Sequence, residues 1–336
     1  MSGTGATRHL LQARSRPGLL SLVIPMYNEG AMMSHLRTAL EEFAGAAGCP
    51  VEFVLVNDGS TDDTLEHLAE WAAADRRVRV LHLSRNFGHQ IATTAGLDHA
   101  RGNAIVILDA DLQDPLAVIH AMIDRYCEGY DVVYGQRVSR EGESVQKRFT
   151  AWLFYRMMRT LVDARLPVDT GDFRLISREC LDGLSRMRET HRFLRGMVSW
   201  VGFPQIAVPY KREARRAGST KYPLRKMLAF SWTAATSFST VPLRISGLLG
   251  VVVGILGLVE GARAILAHLL GWYTVSGWTS LTVITSLIGS GILVSIAILG
   301  EYVAKLYEQS KERPLYLVAR TFNVERESPD KSNGIS

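Results

Sequence analysis

The sequence predicts an α/β fold, a mostly parallel sheet with helices on both faces, followed by two membrane-spanning helices. Two observations predict it. Short, β-rich apolar runs alternate with helix-length segments through the first 135 residues, a pattern typical of parallel sheets that are covered on both sides. Much later, the 23 positions from Trp278 to Gly300 carry no charged residue, which is long enough to cross a bilayer.

Five segments are predicted as strands because each is rich in branched and aromatic residues and ends in polar ones. They are LLSLVIP (19–25), VEFVLVN (51–57), VRVLHL (78–83), NAIVILDA (103–110) and DVVYGQ (131–136). Segments 62–75 and 115–127 are predicted as helices between them. Ligands of such sheets bind beyond the carboxyl ends of the strands, so the polar residues that end the strands are the candidate site.

Composition excludes several classes of protein. The three cysteines are odd in number, far apart and in no CxxC spacing, which argues against a disulfide framework and a zinc site. The net charge of +5 is too mild to indicate a nucleic-acid partner, and none is expected. No GxGxxG follows the first strand and no GxxxxGK[ST] occurs, so a dinucleotide fold and a P-loop are poorly supported.

The C-terminal third predicts a transmembrane hairpin. A second uncharged run, from Ile245 to Val259, precedes the 23-residue run and extends toward Leu270. A long helical hairpin buried in a soluble core is the alternative. Lysine and arginine flank the two runs on their outer sides, whereas the connecting loop offers only Arg263 and His268. The positive-inside rule therefore places both termini, and with them residues 1 to about 240, in the cytoplasm of a multi-pass inner-membrane protein.

The predicted organisation has four parts. Residues 1–18 are a flexible basic tail, 19–240 a cytoplasmic domain, 241–303 the transmembrane hairpin and 304–336 a cytoplasmic C-terminal tail. Two segments of the cytoplasmic domain, about 146–165 and 222–240, mix basic with aromatic residues. That mixture favours amphipathic helices lying at the membrane interface, with ordinary packing helices as the alternative.

The stretch AIVILDADLQDP (104–115) predicts a metal site. Asp109, Asp111 and Gln113 share one face if the chain stays extended, and their oxygens suit Mg²⁺ or Mn²⁺. The alternative is a polar strand exit whose side chains make turn hydrogen bonds. Asp114, followed by Pro115, has the pattern of a helix N-cap with proline in the first turn.

Four motifs occur in order at successive strand ends: VIPMYNEG, VNDGSTDDT, SRNFGHQIATTAGLDHARG and ILDADLQDP. Together they resemble the family 2 glycosyltransferases with a GT-A-type fold. Further along, DTGDFRLISR (169–178), RRAGSTKYPLRKML (215–228) and the paired spans resemble the polyprenyl-phosphate glycosyltransferases, most closely the bactoprenol glucosyltransferase branch. Dolichyl-phosphate mannose synthase is a more distant relative of this group. The resemblance covers roughly residues 19 to 320.

The resemblance implies a nucleotide-sugar donor, a divalent metal and inversion at the anomeric carbon. It implies that the donor is bound by Pro25, Tyr27, Glu29, Asp58, Asp109, Arg215 and Lys221. Within this set, Asp58 matches the acid that reads the base, and the last two match a segment that closes over the phosphates. Asp109, Asp111 and Gln113 match the metal site. The first four donor-binding candidates also have structural alternatives. Pro25 could simply end a strand, Tyr27 could simply pack against its neighbours, and Glu29 or Asp58 could cap the next helix.

The implied acceptor is the phosphate of a membrane polyprenol. Arg137, Lys147 and Arg148 are candidates to bind it, since arginine suits phosphate; contact with lipid headgroups is the alternative. Asp172 is the candidate carboxylate near the reacting centre, as base or as orienter of the acceptor phosphate, and Asp169 is the fallback. A turn aspartate beside a glycine is the alternative for Asp172.

The predicted activity is transfer of glucose from UDP-glucose to undecaprenyl phosphate, for modification of cell-envelope glycans such as lipopolysaccharide O-antigen. Mannose, N-acetylhexosamine and aminoarabinose are alternative sugars. A polysaccharide synthase is a rival class, although QxxRW-like motifs are absent, and a non-enzymatic scaffold is another. A flippase and a downstream transferase are implied as pathway partners. Relatives in this family suggest a homo-oligomer, with a tetramer as its form.

Overall fold

The computed structural model describes residues 11–138, 170–211, 241–270 and 277–324. The chain divides into two compact units, one holding a β-sheet with its helices and the other holding two long helices. Several predictions lie outside the described residues. They are the interfacial helices 146–165 and 222–240 and the site residues Lys147, Arg148, Asp169, Arg215 and Lys221.

Eight strands form the sheet of the first unit, in the spatial order β7-β5-β6-β4-β1-β2-β3-β8. Their bounds are β1 Leu20–Met26, β2 Val51–Asn57, β3 Val78–Leu83, β4 Ala104–Ile107, β5 Val132–Arg137, β6 Thr170–Ser177, β7 Gln205–Tyr210 and β8 Val318–Phe322. All five predicted strands are present. The predicted segment 103–110 is strand only as far as Ile107.

Six of the eight strands run in one direction. β1 pairs in parallel with β2 and β4, β2 with β3, and β5 with β7. β6 is inserted between β4 and β5 and is antiparallel to both, and β8 is antiparallel to β3. The predicted mostly parallel sheet is therefore a mixed sheet with two reversed strands.

Helices of the first unit are α1 Met33–Ala46, α2 Thr64–Ala74, α3 His89–His99, α4 Ala117–Cys127, α5 Arg178–Ser185 and α6 Leu194–Val201. The predicted helices at 62–75 and 115–127 correspond to α2 and α4. Every residue of β1 and β2 is buried, because helices cover both faces of these central strands. Trp71 of α2, for example, packs on Phe53 of β2, with ring centroids 5.6 Å apart.

The two predicted tails contain ordered structure that packs on the sheet unit. Arg14 donates to Asp131 at 2.6 Å, and its backbone N–H donates to the Cys127 carbonyl at 2.8 Å. At the other end, β8 adds an edge strand to β3. Asn323, just after β8, donates to the carbonyls of three residues: Ala72, Asp75 and Val78. Residues 11–18 therefore belong to the folded unit rather than to a flexible tail, and residues 318–323 of the predicted C-terminal tail belong to the same unit.

The second unit contains two long helices, α7 Val241–Leu269 and α8 Gly277–Ser310. They pack antiparallel, since Ser295 Oγ lies 3.4 Å from the Ser246 carbonyl oxygen and Gly291 lies against Val253. Many of their large apolar side chains are exposed, among them Leu248, Leu258, Leu269, Leu293 and Leu306.

One segment of this unit, Leu287–Ser310, is long and apolar enough to cross a membrane by length and composition. The apolar stretch of α7, Leu243–Val259, is shorter than that threshold. One of the two predicted spans therefore has a counterpart among the described residues. The second span, and the orientation of both, remain predictions.

Candidate active site

The directions of the strands bring the predicted site residues to one edge of the sheet. β2, β4 and β5 end at this edge, at Asn57, Ile107 and Arg137. Because β6 runs the opposite way, its first residues reach the same edge, and Asp172 is the third of them. The carboxyl edge therefore gathers four predicted residues from separate segments, Asp58, Asp109, Arg137 and Asp172.

The loop after β1 is fixed to the loop after β2. Pro25 is buried in β1, opposite Val56, whereas Tyr27 lies just beyond the strand with 45% of its surface exposed. Asn28 has a φ of 57°, and its side-chain oxygen accepts from the Thr61 backbone N–H at 2.8 Å. The Glu29 backbone N–H donates to Thr64 at 3.0 Å. An exposed aromatic ring on a fixed loop is a surface on which a planar base can stack.

Asp58 ties the β2 end to the loop that follows β3. Its two carboxylate oxygens accept the backbone N–H groups of Phe87, at 2.7 Å, and Gly88, at 2.9 Å. Burial raises the pKa of Asp58 above its ordinary value, and these two N–H groups act in the opposite direction. The carboxylate does not cap α2, which was the structural alternative; it holds the start of α3 instead.

The acidic stretch after β4 is a turn. Leu112 has a φ of 51°, and the Asp111 carboxylate accepts the Gln113 backbone N–H at 3.2 Å. The argument that Asp109, Asp111 and Gln113 share a strand face is therefore wrong, because the strand ends at Ile107 and the chain does not stay extended. Whether these three residues can bind a metal therefore depends on where the turn places their oxygens.

Asp109 is the most unusual member of this turn. Its Oδ1 is buried and has no hydrogen-bond donor among the described residues, although Nε2 of His89 lies 3.5 Å away. Burial raises the pKa of Asp109, while His89 works in the other direction. The described residues contain no group of three or more histidine, cysteine or acidic side chains that is arranged to hold a metal.

Asp114 does not cap a helix. α4 begins at Ala117, its N-cap position is Leu116, and no side-chain cap is present. The Asp114 carboxylate is buried and accepts the hydroxyl of Tyr210, with Arg137 Nη2 at 3.8 Å. The predicted N-cap is thus wrong, because Asp114 is drawn toward β5 and β7.

Asp172 lies at the centre of a polar network. Arg195 Nε donates to its Oδ1 at 2.7 Å, and Gln90 Nε2 donates to its Oδ2 at 3.2 Å. His89 Nε2 lies 3.4 Å from the same Oδ2. Burial works against the charged carboxylate, but His89 and Arg195 outweigh it and hold the pKa of Asp172 well below its usual range. Asp172 is therefore a fixed anion.

His89 links the two acidic segments. As the first residue of α3 it stands between Asp109 and Asp172, 43% exposed. Burial disfavours the charged imidazole, but Asp172 and Asp109 outweigh burial and raise the pKa of His89. His89 thus lies between two carboxylates, within 3.5 Å of Asp109 and 3.4 Å of Asp172.

One arginine of the site lies within β6 and a second lies beside it. Arg174 is buried and donates to the carbonyls of Gly171 and Asp172, and burial lowers its pKa to about 10. Arg137, the predicted acceptor-phosphate residue, donates through Nε to the Tyr210 hydroxyl at 3.2 Å and is 22% exposed. It also lies against Gly171, where an added Cβ would be 2.8 Å from its Nη2.

Sequence reasoning missed four residues of this site: His89, Gln90, Arg174 and Arg195. The first two belong to the motif SRNFGHQIATTAGLDHARG, which was assigned to a strand end without assigning its side chains. Their position directly after a strand end was the available signal. Arg195 had no comparable signal, because it reaches Asp172 only through the folding of β6 and α6.

Residues 21–184 match the Glycosyl transferase family 2. The chain is 44% identical to an uncharacterized glycosyltransferase of Bacillus subtilis, over 91% of this chain and 94% of that protein. It is 37% identical to a prophage bactoprenol glucosyl transferase homolog of Escherichia coli, over 90% and 98%. It is 36% identical to the bactoprenol glucosyl transferase of Shigella phage SfV, over 89% and 97%.

The chain is a glycosyltransferase. It belongs to glycosyl transferase family 2. Within that family it is similar along most of its length to proteins named bactoprenol glucosyl transferase.

Proposed function

We propose that this glycosyltransferase transfers glucose from UDP-glucose to the phosphate of undecaprenol or a similar polyprenol, at the cytoplasmic face of the inner membrane. The observation that carries the proposal is similarity over about nine-tenths of the chain to bactoprenol glucosyl transferases, at 36–37% identity. That length includes the long apolar helices as well as the sheet. A separate flippase would move the resulting polyprenyl-phosphate sugar across the membrane. A further transferase would then use it to modify cell-envelope glycans.

The donor is proposed to lie along the ends of β1 and β2. Tyr27 offers an exposed ring beside Pro25 and Glu29, and Asp58 sits at the next strand end. Each carboxylate oxygen of Asp58 has a second lone pair besides the one used by a backbone N–H, so it can accept from a base N–H as well. Arg215 and Lys221 are proposed to close over the diphosphate.

A divalent cation, Mg²⁺ or Mn²⁺, is proposed to bind at the turn after β4. The buried Oδ1 of Asp109, without a hydrogen-bond donor, is the observation that fits a cation there. Asp111 and Gln113 would add a carboxylate and an amide oxygen, the hard ligands that these ions prefer. When bound, the cation supplies Lewis-acid stabilisation of the charge that develops on the departing diphosphate.

The acceptor phosphate is proposed to lie near Arg137, with Lys147 and Arg148 supplying further charge. An oxygen of this phosphate attacks the anomeric carbon, the bond from that carbon to the nucleoside diphosphate breaks, and the configuration inverts. A phosphate monoester has a second pKa of about 6, so most of it is dianionic at neutral pH and no strong base is needed. What the chain must supply is positive charge that holds two anions close together.

The long helices are proposed to form a two-span anchor with both termini in the cytoplasm. Their exposed apolar side chains, among them Leu248 of α7 and Leu293 of α8, support burial in lipid. A lipid acceptor makes such an anchor useful, because it keeps the sheet unit at the surface where the polyprenyl phosphate lies. A homo-oligomer is proposed as well, as suggested by the family resemblance.

The test is an assay with membranes that contain the full chain. Undecaprenyl phosphate is added with UDP-[¹⁴C]glucose, or with the labelled UDP or GDP derivatives of N-acetylglucosamine and mannose, and lipid products are separated by thin-layer chromatography. We expect one labelled glycolipid, from UDP-glucose, that mild acid hydrolyses to free glucose.

Membranes carrying the Asp109→Asn variant serve as the matched control for endogenous transferases. Label in a different sugar-lipid would correct the donor and keep the acceptor. Label only in a polysaccharide, or none in lipid above the control, would refute the proposed acceptor.

A further inference from the structure

The carboxylate of Asp172 is directed at cations of the protein itself. One oxygen accepts from Arg195 Nε at 2.7 Å, and the other has Gln90 Nε2 at 3.2 Å and His89 Nε2 at 3.4 Å. Only 12% of this side chain is exposed. A carboxylate held by two hydrogen-bond donors and a neighbouring imidazole from α3 and α6 is poorly placed to take a proton from a substrate.

Arg195 is the better exposed partner of the pair, with 33% of its side chain accessible. Its Nε is bound to Asp172, so the plane of the guanidinium is fixed from one side. A guanidinium offers two edges for bidentate contacts, the Nε–Nη edge and the Nη–Nη edge. Anchoring at Nε therefore fixes the orientation of the whole guanidinium.

A second guanidinium approaches the same point of the chain. Arg137 Nη2 lies against Gly171, the residue directly before Asp172. Arg137 comes from β5 and Arg195 from α6, so arginines of two different elements lie next to the first residues of β6 at the carboxyl edge. Two partly exposed guanidinium groups beside one strand start form a site for a compact, doubly charged anion.

Gln90 braces this arrangement from α3. Its amide nitrogen donates to Asp172, and its amide oxygen accepts the backbone N–H of Leu194 at 3.0 Å. Leu194 is the first residue of α6 and precedes Arg195. One side chain thus fixes both the carboxylate and the helix start that carries the arginine.

We propose that Arg195 and Arg137 together bind the phosphate monoester of the acceptor, and that Asp172 is a positioning residue that holds Arg195 for this contact. The inference rests on the proposed function and assigns to Asp172 the role of orienter rather than base. Gln90 contributes as a second positioning residue.

The test measures steady-state kinetics of the full chain in detergent micelles, varying undecaprenyl phosphate and the sugar nucleotide separately. We expect Arg195→Lys to raise the KM for undecaprenyl phosphate roughly ten- to a hundredfold, because lysine keeps the charge but loses the planar, anchored contact. The KM for the donor should stay unchanged. Arg188→Lys is the matched control, since Arg188 is 51% exposed and pairs with Asp98.

A double-mutant cycle separates positioning from base catalysis. Asp172→Asn should raise the same acceptor KM, and the double variant with Arg195→Lys should be no worse than the more severe single variant, because both changes disturb one contact. Base catalysis by Asp172 predicts instead a lower kcat, an unchanged acceptor KM and effects that add. That result would overturn the proposal.

Gln90→Ala keeps the proposal testable if Asp172→Asn does not fold, since it removes the brace and leaves no charge unpaired. We expect a smaller rise in acceptor KM from it. Unchanged acceptor KM in both Gln90→Ala and Arg195→Lys, with only kcat lowered, would mean a structural role and refute the inference. If the wild type transfers no sugar to undecaprenyl phosphate, the proposed function and this inference both fail; if it does, the variants decide this inference alone.

Discussion

The two ends of the central sheet both bury charge, but they treat it differently. At the amino end, Glu52 accepts the Ser21 hydroxyl at 2.6 Å, the Arg101 N–H at 2.7 Å and Arg79 Nη1 at 3.2 Å. At the carboxyl end, Oδ1 of Asp109 is buried and has no donor among the described residues. The Glu52 carboxylate is satisfied by donors of the protein on both oxygens, whereas the Asp109 carboxylate keeps bonding capacity on Oδ1 that a ligand can use.

Hydrogen-bond satisfaction therefore distinguishes a structural charge cluster from a functional one on the same sheet. Both contain buried acids beside cations, and sequence position alone would class them together as polar strand ends. A buried oxygen without a donor costs stability, so it is expected where binding or catalysis compensates for it. The predictions below test this distinction by removing groups from each end.

The largest effect is expected at the amino end, from Glu52→Ala. It leaves the guanidinium of Arg79, 6% exposed, without its buried counter-ion, so unfolding should become easier by about 3–5 kcal/mol. Chemical denaturation followed by circular dichroism measures this, with Glu41→Ala as control because its pair with Arg37 is exposed and worth about 1 kcal/mol at most. Transfer activity per folded molecule should not change; a specific loss of kcat would show that the amino end also serves the reaction.

At the carboxyl end, Asp109→Asn should have the opposite result, a loss of transfer activity rather than of stability. We expect kcat to fall roughly a hundred- to a thousandfold, the usual size for loss of one group that stabilises transition-state charge. The exposed Asp182→Asn is the control and should leave transfer unchanged. Full activity in the Asp109→Asn variant would exclude this turn from the reaction.

The stability of the same variant has a defined pH dependence. The pKa of Asp109 is raised by burial, so folding favours the protonated carboxyl, and ionisation costs stability as the pH rises through the folded-state pKa. Asp109→Asn should therefore melt at the same or a higher temperature than wild type at about pH 8. The difference should shrink below the unfolded-state pKa of about 3.9. A variant that is less stable at high pH would show that the carboxylate is a structural group like Glu52.

Sequence patterns predicted the strands that are buried from end to end, because such strands are continuous apolar runs. They overestimated β4, since Leu108 and Ala110 are apolar and buried but lie in the turn beyond it. β6, β7 and β8 were not predicted. β6 mixes polar and apolar residues, and all three strands pair with segments far along the chain, so no local periodicity indicates them.

The site was predictable where a strand end delivers the residue, as for Asp58, Asp109 and Arg137. It was not predictable where the residue comes from a helix start. His89 and Arg195 meet Asp172 only because β6 is reversed between β4 and β5. The pattern of the sequence carries no signal for that reversal, so the contacts had to be seen in the fold.

Substituting one glycine at each end of the sheet should have a smaller effect than the changes above. Gly59 has a φ of 67°, and an added Cβ would lie 2.4 Å from the backbone carbon of Arg85, in the loop that Asp58 holds. Gly59→Ala should cost about 2 kcal/mol or more and also raise the donor KM, because the loop must move. Gly102→Ala, whose Cβ would meet the Leu19 carbonyl oxygen at 2.6 Å, should lower stability only.

Thermal unfolding and donor kinetics check both changes, and Gly45→Ala, with nothing within 4 Å of the added Cβ, is the control. A donor KM raised equally by both glycine variants would mean that the two ends of the sheet are not separable in function.

The smallest effect concerns the segment that was predicted to be a flexible tail. Arg14 pairs with the nearly buried Asp131, which also accepts the hydroxyl of Ser177, so the amino end has a second cluster completed from outside the sheet. Arg14→Ala should lower the free energy of unfolding by about 1–2 kcal/mol, because Asp131 keeps its other donor. Arg16→Ala is the control: its side chain donates to the Ala47 carbonyl at 3.3 Å and lies 3.8 Å from the exposed Asp124, so a loss of only about 0.5 kcal/mol is expected. Equal stability of the two variants would mean that residues 11–18 behave as a tail in solution, and that the amino end needs only the groups of its own strands.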